Sequence, residues 1–251
     1  MKQIVNCFDR SYIISLVDRH DRREQVTREF RGVGIDIGRG KVQFFDAIRP
    51  TERGEFPDIG SRGCFMSHKS VLEIAAKEQV KNVLIFEDDV SFRRFSGAFE
   101  CELVARLFQA EWDLMFFGYG SPSDDGLKGP LLRWRGDILG AHFYAVNGSF
   151  VAKVLNYMNE CERRPRDHPD GGPMPVDGIY NHIRYIDPQI SLLLSVPNLA
   201  YQRSSRSDIS GVGGLDRLEW LGGPLRVTRS IKHSVKMLLD RNKIRRQLEE
   251  P

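Results

Sequence analysis

Three adjacent carboxylates, Glu87-Asp88-Asp89, directly follow the apolar run Val83–Phe86. A short apolar run of this kind predicts a buried strand that is covered on both faces, as in a parallel sheet. In open α/β sheets, ligands bind beyond the carboxyl ends of such strands. Three acids at that end repel one another, and their oxygens suit Mg²⁺ or Mn²⁺, especially where phosphate oxygens complete the coordination. The alternative is a solvated acidic turn.

Other side chains with chemical potential follow the predicted first strand, which ends at Ser15-Leu16. Arg19, Arg22 and Arg23 come next, and guanidinium groups bind phosphate through forked hydrogen bonds. The alternative for these arginines is a solvated helix face paired with neighbouring acids.

A histidine and an aspartate open two later helices. His68 lies early in the predicted helix 62–79, on the same face as Phe65 and Leu72. Helix N-termini favour anions, so His68 could contact an anionic donor or acceptor. The alternative is a structural histidine that is only hydrogen-bonded within the fold. Asp177 follows Pro175 and opens the predicted helix 176–185. A carboxylate there can serve as a general base, or simply as a favoured residue at a helix start.

Strand and helix patterns alternate through most of the chain, which predicts one α/β domain with a mostly parallel central sheet. The polar segment 121–136 contains several glycines and prolines and is predicted to be a long loop, of the kind that often forms an active-site lid. The predicted strands are 12–16, 42–48, 83–86, 112–118, 138–146 and 190–194, and the predicted helices are 18–30, 62–79, 95–110, 150–158 and 176–185.

Composition limits the class of protein. The 251 residues contain 41% hydrophobic and 28% charged residues, which is ordinary for a globular protein. No stretch approaches the roughly 18 apolar residues of a membrane span, and the N-terminus lacks a signal-peptide pattern, so we expect a cytoplasmic protein. The four cysteines have no CxxC spacing, which argues against a zinc site and against a disulfide scaffold.

The C-terminal segment 226–251 is strongly basic. It carries eight Lys/Arg and three acids, a net charge of +5, whereas the remainder carries −2. Its apolar residues recur at helical spacing, which predicts a basic amphipathic helix after a domain spanning 1–225. Such a helix either lies on an anionic membrane surface or packs its apolar face on the domain. The chain has no aromatic-and-basic stacking motif, so nucleic acid is not an expected partner.

Taken together, the motifs resemble glycosyltransferase family 25, the bacterial lipooligosaccharide galactosyltransferase-like family. The resemblance extends over roughly 12–209. The segments that carry it are Ser15-Leu16 with the arginines after it, Gly63-Cys64-Phe65-Met66-Ser67-His68, Leu84-Ile85-Phe86-Glu87-Asp88-Asp89, Trp112-Asp113-Leu114, Phe117-Gly118, Pro175-Val176-Asp177, and Gln202 with Ser207-Asp208-Ile209.

The resemblance implies a GT-A-like fold, a nucleotide-sugar donor, expected to be UDP-galactose, and inversion at the anomeric carbon. It also implies Mn²⁺ or Mg²⁺, and a saccharide or lipid-linked glycan acceptor. The acidic stretch takes the place of the family's DxD motif, with Glu87 where the first Asp would stand. Asp89 and Glu87 are then the expected metal ligands, and Asp88 is expected to contact the ribose or the donor sugar.

The remaining roles follow from the same resemblance. Asp177 is the expected catalytic base, with Asp113 and Asp208 as alternatives, and Asp88 is the second expected catalytic residue. The expected donor-binding residues are Ser15, Leu16, Arg19, Arg22, Ser67, His68, Glu87, Asp88 and Asp208.

Two other functions stay open from the sequence. A nucleotidyltransferase or phosphotransferase also uses clustered acids with metal ions, but normally places acids on more than one strand. A non-catalytic protein that binds membrane or nucleic acid through the basic tail is the alternative from outside enzymology.

Overall fold

The computed structural model describes residues 1–124 and 126–203. The predicted basic helix 226–251 and the candidate residue Asp208 lie outside the described residues, so the division at residue 225 stays a prediction. No helix in these ranges combines the length and the apolar character that a membrane crossing needs.

The first half of the chain alternates strands with helices, as its sequence pattern predicts. Its elements in order are α1 (Lys2–Asn6), β1 (Arg10–Ser15), α2 (His20–Gly32), β2 (Val42–Asp46), α3 (Ile59–Lys77), β3 (Asn82–Glu87), β4 (Val90–Phe92), α4 (Gly97–Gln109) and β5 (Leu114–Gly118). The second half contains β6 (Leu131–Arg133), β7 (Phe143–Asn147), α5 (Gly148–Arg163), α6 (Val176–Ile186), β8 (Leu192–Ser195) and β9 (Ala200–Gln202).

Within the described ranges the strands form one mixed sheet, whose main path runs in the order β2-β1-β3-β7-β5-β8-β6. β1, β2 and β3 are parallel, and β7 is antiparallel to both β3 and β5. Consequently β2, β1, β3, β5 and β8 all run in one direction, with β7 inserted against them. The predicted α/β domain with a mostly parallel central sheet is confirmed, and its sheet accommodates the GT-A-like arrangement that the resemblance implies.

Hydrophobic side chains fill both faces of this sheet. Alternate residues of β3 point to opposite layers: Val83 and Ile85 pack in the layer that contains α3, α5 and α6, whereas Leu84 and Phe86 pack in the layer that contains α1, α2 and α4. All four are fully buried. This two-sided burial explains why the strand reads as a continuous apolar run rather than as an alternating pattern.

The structure corrects several predicted boundaries. The segment 121–136 is not wholly a loop, because β6 lies within it and pairs with β8, and Ser121 forms a bridge with Leu139. Helix α5 continues to Arg163, five residues beyond its predicted end. The short elements α1, β4 and β9 were not predicted, because three to five residues carry too little periodicity to be recognised.

The β7–α5 junction provides a test of the packing. Gly148 and Gly97 both occupy the first position of a helix, α5 and α4 respectively. A Cβ atom at Gly148 would lie 2.1 Å from the Val80 carbonyl oxygen, whereas a Cβ atom at Gly97 meets nothing within 4 Å. We therefore expect Gly148→Ala to lower the free energy of unfolding by about 2 kcal/mol, measured by urea denaturation.

The matched control is Gly97→Ala, which should change the free energy of unfolding by no more than about 0.5 kcal/mol. Equal effects of the two substitutions would show that the close contact between residue 148 and the β3 entry does not exist.

Candidate active site

Chemically active side chains converge at the carboxyl end of β1 and β3. The strand register pairs Ile14 with Glu87, so Ser15 and Asp88 leave the sheet side by side. The backbone N–H of Glu87 donates to the His142 carbonyl at 2.9 Å, which fixes the acidic segment to the start of β7. The predicted location of the acidic motif, beyond the end of a buried strand, is therefore confirmed.

Asp88 is buried, and donors from two other elements hold its carboxylate. The Ser15 hydroxyl donates to one oxygen at 2.7 Å, and Arg22 of α2 donates to the other at 2.9 Å. The Arg22 side chain is 18% exposed and the Asp88 side chain 9%, so this ion pair is largely shielded from solvent. Charge-assisted bonds of this kind fix the orientation of the carboxylate. Ser15 and Arg22 thus both contact Asp88, and their roles in donor binding stay predictions.

Glu87 and Asp89 share a single neutral donor. The side-chain amide of Gln202 donates to Oε2 of Glu87 at 3.0 Å and to Oδ2 of Asp89 at 3.1 Å. The other oxygen of Asp89, Oδ1, is buried and has no hydrogen-bond partner among the described residues. A buried carboxylate oxygen without a donor is costly unless a further ligand supplies positive charge.

Burial and mutual repulsion shift the acidity of these two carboxyl groups. Desolvation, followed by the charges of Asp88 and Asp177, raises the pKa of Glu87 to about 8. Desolvation, followed by the charges of Glu87 and Asp88, raises the pKa of Asp89 to about 7. The charge of Arg22 opposes both shifts but does not cancel them. Without additional positive charge, the pair therefore holds protons near neutral pH.

Arg203 fixes the backbone of the acidic segment. Its guanidinium donates to the carbonyl oxygens of Asp88 and Val90, both at 2.9 Å, and its N–H donates to the Asp89 carbonyl at 2.8 Å. Its side chain also lies 3.5 Å from a carboxylate oxygen of Glu29 in α2. The turn that follows β3 is therefore bound from the outside by a residue more than a hundred positions later in the chain.

His68 lies behind the acidic segment and is fully buried. Its Nδ1 atom is 2.7 Å from the Tyr144 hydroxyl, which in turn accepts from the Tyr180 hydroxyl at 3.0 Å. Its Nε2 atom lies 3.4 Å from Oε1 of Glu87. Desolvation lowers the pKa of His68 to about 3, so the imidazole is neutral at physiological pH. His68 therefore lies next to the acidic motif, and its role in donor binding stays a prediction.

Asp177 joins the same region from α6. One carboxylate oxygen accepts from the Gly140 N–H at 3.0 Å, and the other accepts from the Gly178 N–H at 2.9 Å. The charge of Asp177 acts to raise the pKa values of Glu87, His68 and Cys64, although for His68 the lowering by desolvation is larger. Asp177 therefore lies within electrostatic reach of all three groups. Gly140 adopts φ +82°, a backbone conformation that glycine tolerates best, and this turn presents the N–H to Asp177.

Other predicted site residues have mainly local partners. The Ser67 hydroxyl donates to the Gly63 carbonyl at 2.6 Å and accepts from the Ile48 N–H at 2.8 Å, so it joins α3 to the end of β2. Arg19 pairs with the exposed Asp21, and Leu16 is partly buried beyond the end of β1. Their roles in donor binding stay predictions, and Asp208 lies outside the described residues.

Arg23 and Asp113 contact other parts of the fold. Arg23 donates to the Ser15 and Leu16 carbonyls and pairs with Asp46, which braces the ends of β1 and β2. Asp113 precedes β5 at the amino end of the strand, whereas the acidic segment follows the carboxyl end of the parallel strand β3, and Asp113 accepts from the Ser191 N–H at 2.8 Å. Asp113 is therefore excluded as a base that acts with the acidic segment.

The structure adds three residues that were not assigned to the site from the sequence. Gln202 was noted only as part of the resemblance, and it reaches the acids through the pairing of β9 with β4. Tyr144 orients His68, but its strand reads as an ordinary core strand. Cys64 lies four residues before His68 on α3, with its Sγ atom 3.8 Å from Oε1 of Glu87. The four-residue spacing of Cys64 and His68, which places both on one face of a helix, was the one feature of the sequence that could have indicated this pair.

Comparison with known proteins finds a family that matches part of the chain. Residues 8–106 match the profile of glycosyltransferase family 25 (LPS biosynthesis protein). The match includes the end of β1, the Ser-His pair of α3 and the acidic segment after β3. Asp177 and Gln202 lie beyond it.

Several curated proteins are similar to part of the chain. A glycosyltransferase 25 family member of Drosophila melanogaster is 32% identical over an alignment of 130 residues, which covers 44% of this chain and 21% of the Drosophila protein. The lipooligosaccharide biosynthesis protein lic2B of Haemophilus influenzae is 31% identical over 32% of this chain and 33% of its own length. The human inactive glycosyltransferase 25 family member 3 is 33% identical, with 44% and 22% covered.

The chain thus spans about a fifth to a third of the length of these relatives. Among solved structures, a glycosyltransferase involved in the glycosylation of the major capsid of PBCV-1 covers 78% of this chain and 94% of that chain, at 10% identity and a TM-score of 0.45. The resemblance to glycosyltransferase family 25 is confirmed, and residues 8–106 are the part of the chain that carries it.

Proposed function

We propose that this chain transfers a sugar from a nucleotide-sugar donor to a saccharide acceptor at the acidic segment after β3. One observation supports this above all: Asp89 is buried and Glu87 is partly buried beside Asp88 at the carboxyl end of β3, and Asp89 Oδ1 has no partner among the described residues. The family match of residues 8–106 includes this segment. The same site also contains His68 and Asp177, which offer contacts to donor and acceptor.

The site fits a divalent cation such as Mn²⁺ or Mg²⁺. Asp89 and Glu87 are the residues that would hold it, because both offer carboxylate oxygens and both have their pKa values raised by desolvation and by neighbouring carboxylates, which a cation would offset. Hard cations of this kind prefer oxygen ligands and commonly share them with a diphosphate. When bound, the cation would stabilise the negative charge that develops on the leaving nucleotide.

The chain's own residues then divide the remaining work. Asp88 is immobilised by Ser15 and Arg22, which suits a carboxylate that orients a donor hydroxyl. Asp177 is our proposed base: it would accept the proton of the acceptor hydroxyl as that oxygen attacks the anomeric carbon, giving inversion. Two backbone N–H groups hold its carboxylate and fix its direction at the first turn of α6.

Donor and acceptor identity belong to the same proposal. We propose UDP-galactose as donor and a growing lipooligosaccharide or another surface glycan as acceptor. The motif resemblance supports the donor, and the name of the lic2B relative supports the acceptor class. A cytoplasmic location, with the segment 226–251 on an anionic membrane surface, completes the proposal.

A thermal-shift measurement tests donor binding. UDP together with Mn²⁺ should raise the melting temperature by about 5–10 °C at saturation, since ligand at 100 times its dissociation constant adds about 2.7 kcal/mol. UDP alone should give a smaller rise. Asp89→Asn should remove the benefit of Mn²⁺, whereas the surface variant Asp36→Asn should keep it. Stabilisation by ATP but not by UDP would favour the nucleotidyltransferase alternative, and no nucleotide effect would favour a non-catalytic protein.

The proposed base is tested by Asp177→Asn. Asparagine keeps an oxygen for the Gly140 N–H but cannot accept the acceptor proton, so kcat should fall about 10²- to 10⁴-fold. The thermal shift by UDP and Mn²⁺ should stay unchanged. The control is Asp187→Asn at the other end of α6, where the carboxylate pairs with Lys153. Near-wild-type turnover of a folded Asp177→Asn protein would assign the base elsewhere.

The raised pKa values predict how stability depends on pH in the metal-free protein. In the folded state the pKa of Glu87 moves from 4.5 to about 8 and that of Asp89 from 3.8 to about 7. Between these values the folded state binds more protons than the unfolded state. The contribution of these groups is therefore fully present below about pH 4 and is lost as the pH rises towards about 8.

Asp89→Asn should reduce this loss by at least about 1 kcal/mol between pH 5 and 8, as measured by urea denaturation with a chelator present. Asp36→Asn, at an exposed position, should leave the slope as in the wild type. If the Asp89 variant and the wild type lose stability in parallel, Asp89 is not held in a proton-binding environment.

A further inference from the structure

Three side chains of different chemistry meet on the α3 side of Glu87. Cys64 Sγ, His68 Nε2 and a carboxylate oxygen of Glu87 all lie within 4.8 Å of one another. Cys64 and His68 are four residues apart on α3, so they project from the same face of the helix. One thiol, one imidazole and one carboxylate form a ligand set that suits Zn²⁺ far better than Mg²⁺.

The imidazole of His68 has the environment expected of a metal ligand. His68 is 0% exposed, and its Nε2 atom makes no hydrogen bond to any described residue, although it points into this group. The opposite nitrogen, Nδ1, is fixed by the Tyr144 hydroxyl at 2.7 Å, and Tyr180 in turn holds Tyr144. Metal-binding histidines usually have their second nitrogen fixed in this way, because that contact sets the tautomer and the ring orientation.

Two of the three ligand-to-ligand distances agree with a tetrahedral centre. Zn–S, Zn–N and Zn–O bonds of about 2.3, 2.05 and 2.1 Å place N and O about 3.4 Å apart, and S and O about 3.6 Å apart. The observed distances from Glu87 Oε1 are 3.4 Å to His68 Nε2 and 3.8 Å to Cys64 Sγ. We propose that Cys64, His68 and Glu87 form a second metal site, selective for Zn²⁺, that shares only Glu87 with the carboxylate site of Glu87 and Asp89.

Binding of Zn²⁺ at this site would release one proton from the protein. Zn²⁺ would take the Nε2 lone pair of a neutral His68, a carboxylate oxygen of Glu87 and the thiolate of Cys64, whose proton passes to solvent. Three protein ligands leave a fourth position for water. Without metal, the 3.8 Å contact is a weak hydrogen bond from the thiol to the carboxylate. That bond alone is the alternative explanation of the arrangement.

Glu87 connects the two sites, because Oε1 faces Cys64 and His68 while Oε2 faces Gln202 beside Asp89. Zn²⁺ on Oε1 would withdraw charge from the carboxylate that the donor cation uses. We therefore expect Zn²⁺ to inhibit turnover. This consequence alone rests on the proposed transferase function, whereas the metal site does not.

The test uses Co²⁺ as a spectroscopic substitute for Zn²⁺ on the full chain, stripped of metal and free of nucleotide. One Co²⁺ per chain should produce a thiolate-to-cobalt charge-transfer band together with the intense visible bands of tetrahedral cobalt, and one equivalent of Zn²⁺ should abolish them. Cys64→Ser should remove the charge-transfer band. His68→Gln should weaken Co²⁺ binding more than about 100-fold, since even loss of an outer contact costs 10- to 100-fold.

Two controls accompany these variants. Cys101→Ser removes an exposed free cysteine on α4 and should leave the spectrum intact. Asp89→Asn should also retain the spectrum, which separates this site from the proposed donor cation site. Absence of the band in the wild-type protein, or its survival in Cys64→Ser, would overturn the proposal. Because no sugar donor is present, either result is independent of whether the chain is a transferase.

Discussion

The structure has to keep three mutually repelling carboxylates together in a largely buried turn. It does so with donors from distant parts of the chain: Ser15 and Arg22 hold Asp88, Gln202 joins Glu87 to Asp89, and Arg203 binds the backbone around them. Only one of these donors puts a positive charge on a carboxylate of the segment. The compensation is therefore incomplete, and desolvation together with the neighbouring negative charges raises the pKa values of Glu87 and Asp89.

This incomplete compensation divides the three acids by role. Asp88 has a hydroxyl on one oxygen and a guanidinium on the other, so it is oriented and fixed. Asp89 keeps one oxygen without a partner among the described residues, and Glu87 has only weak contacts besides the amide of Gln202. The acids that lack charge partners are the ones available to a cation. Asp88 is therefore the fixed part of the site, suited to positioning a ligand, and Glu87 and Asp89 are the open part, suited to binding a cation.

The sequence predicted the part of this site that depends on strand ends. The sequence shows a buried apolar run followed by acids, and a first strand followed by arginines. Because the two strands are parallel, Ser15, Arg22 and Asp88 come together beyond the same ends of these strands. Gln202 could not be placed in the same way, because its position depends on the pairing of β9 with β4, more than a hundred residues apart. The role of Cys64 was missed because a search for paired cysteines overlooks a Cys-His pair at helical spacing that takes its third partner from a strand.

The departure from the family's DxD pattern has a structural consequence. Glutamate at position 87 is longer than aspartate by one methylene, and its carboxylate extends far enough from β3 to face Cys64 and His68 with one oxygen and Gln202 with the other. A shorter aspartate at the end of the same strand would have less reach towards α3. The substitution that weakens the match to the metal motif is thus also the feature that links the acidic segment to the histidine behind it. Glu87 is accordingly the residue through which a change on α3 would reach the proposed donor site.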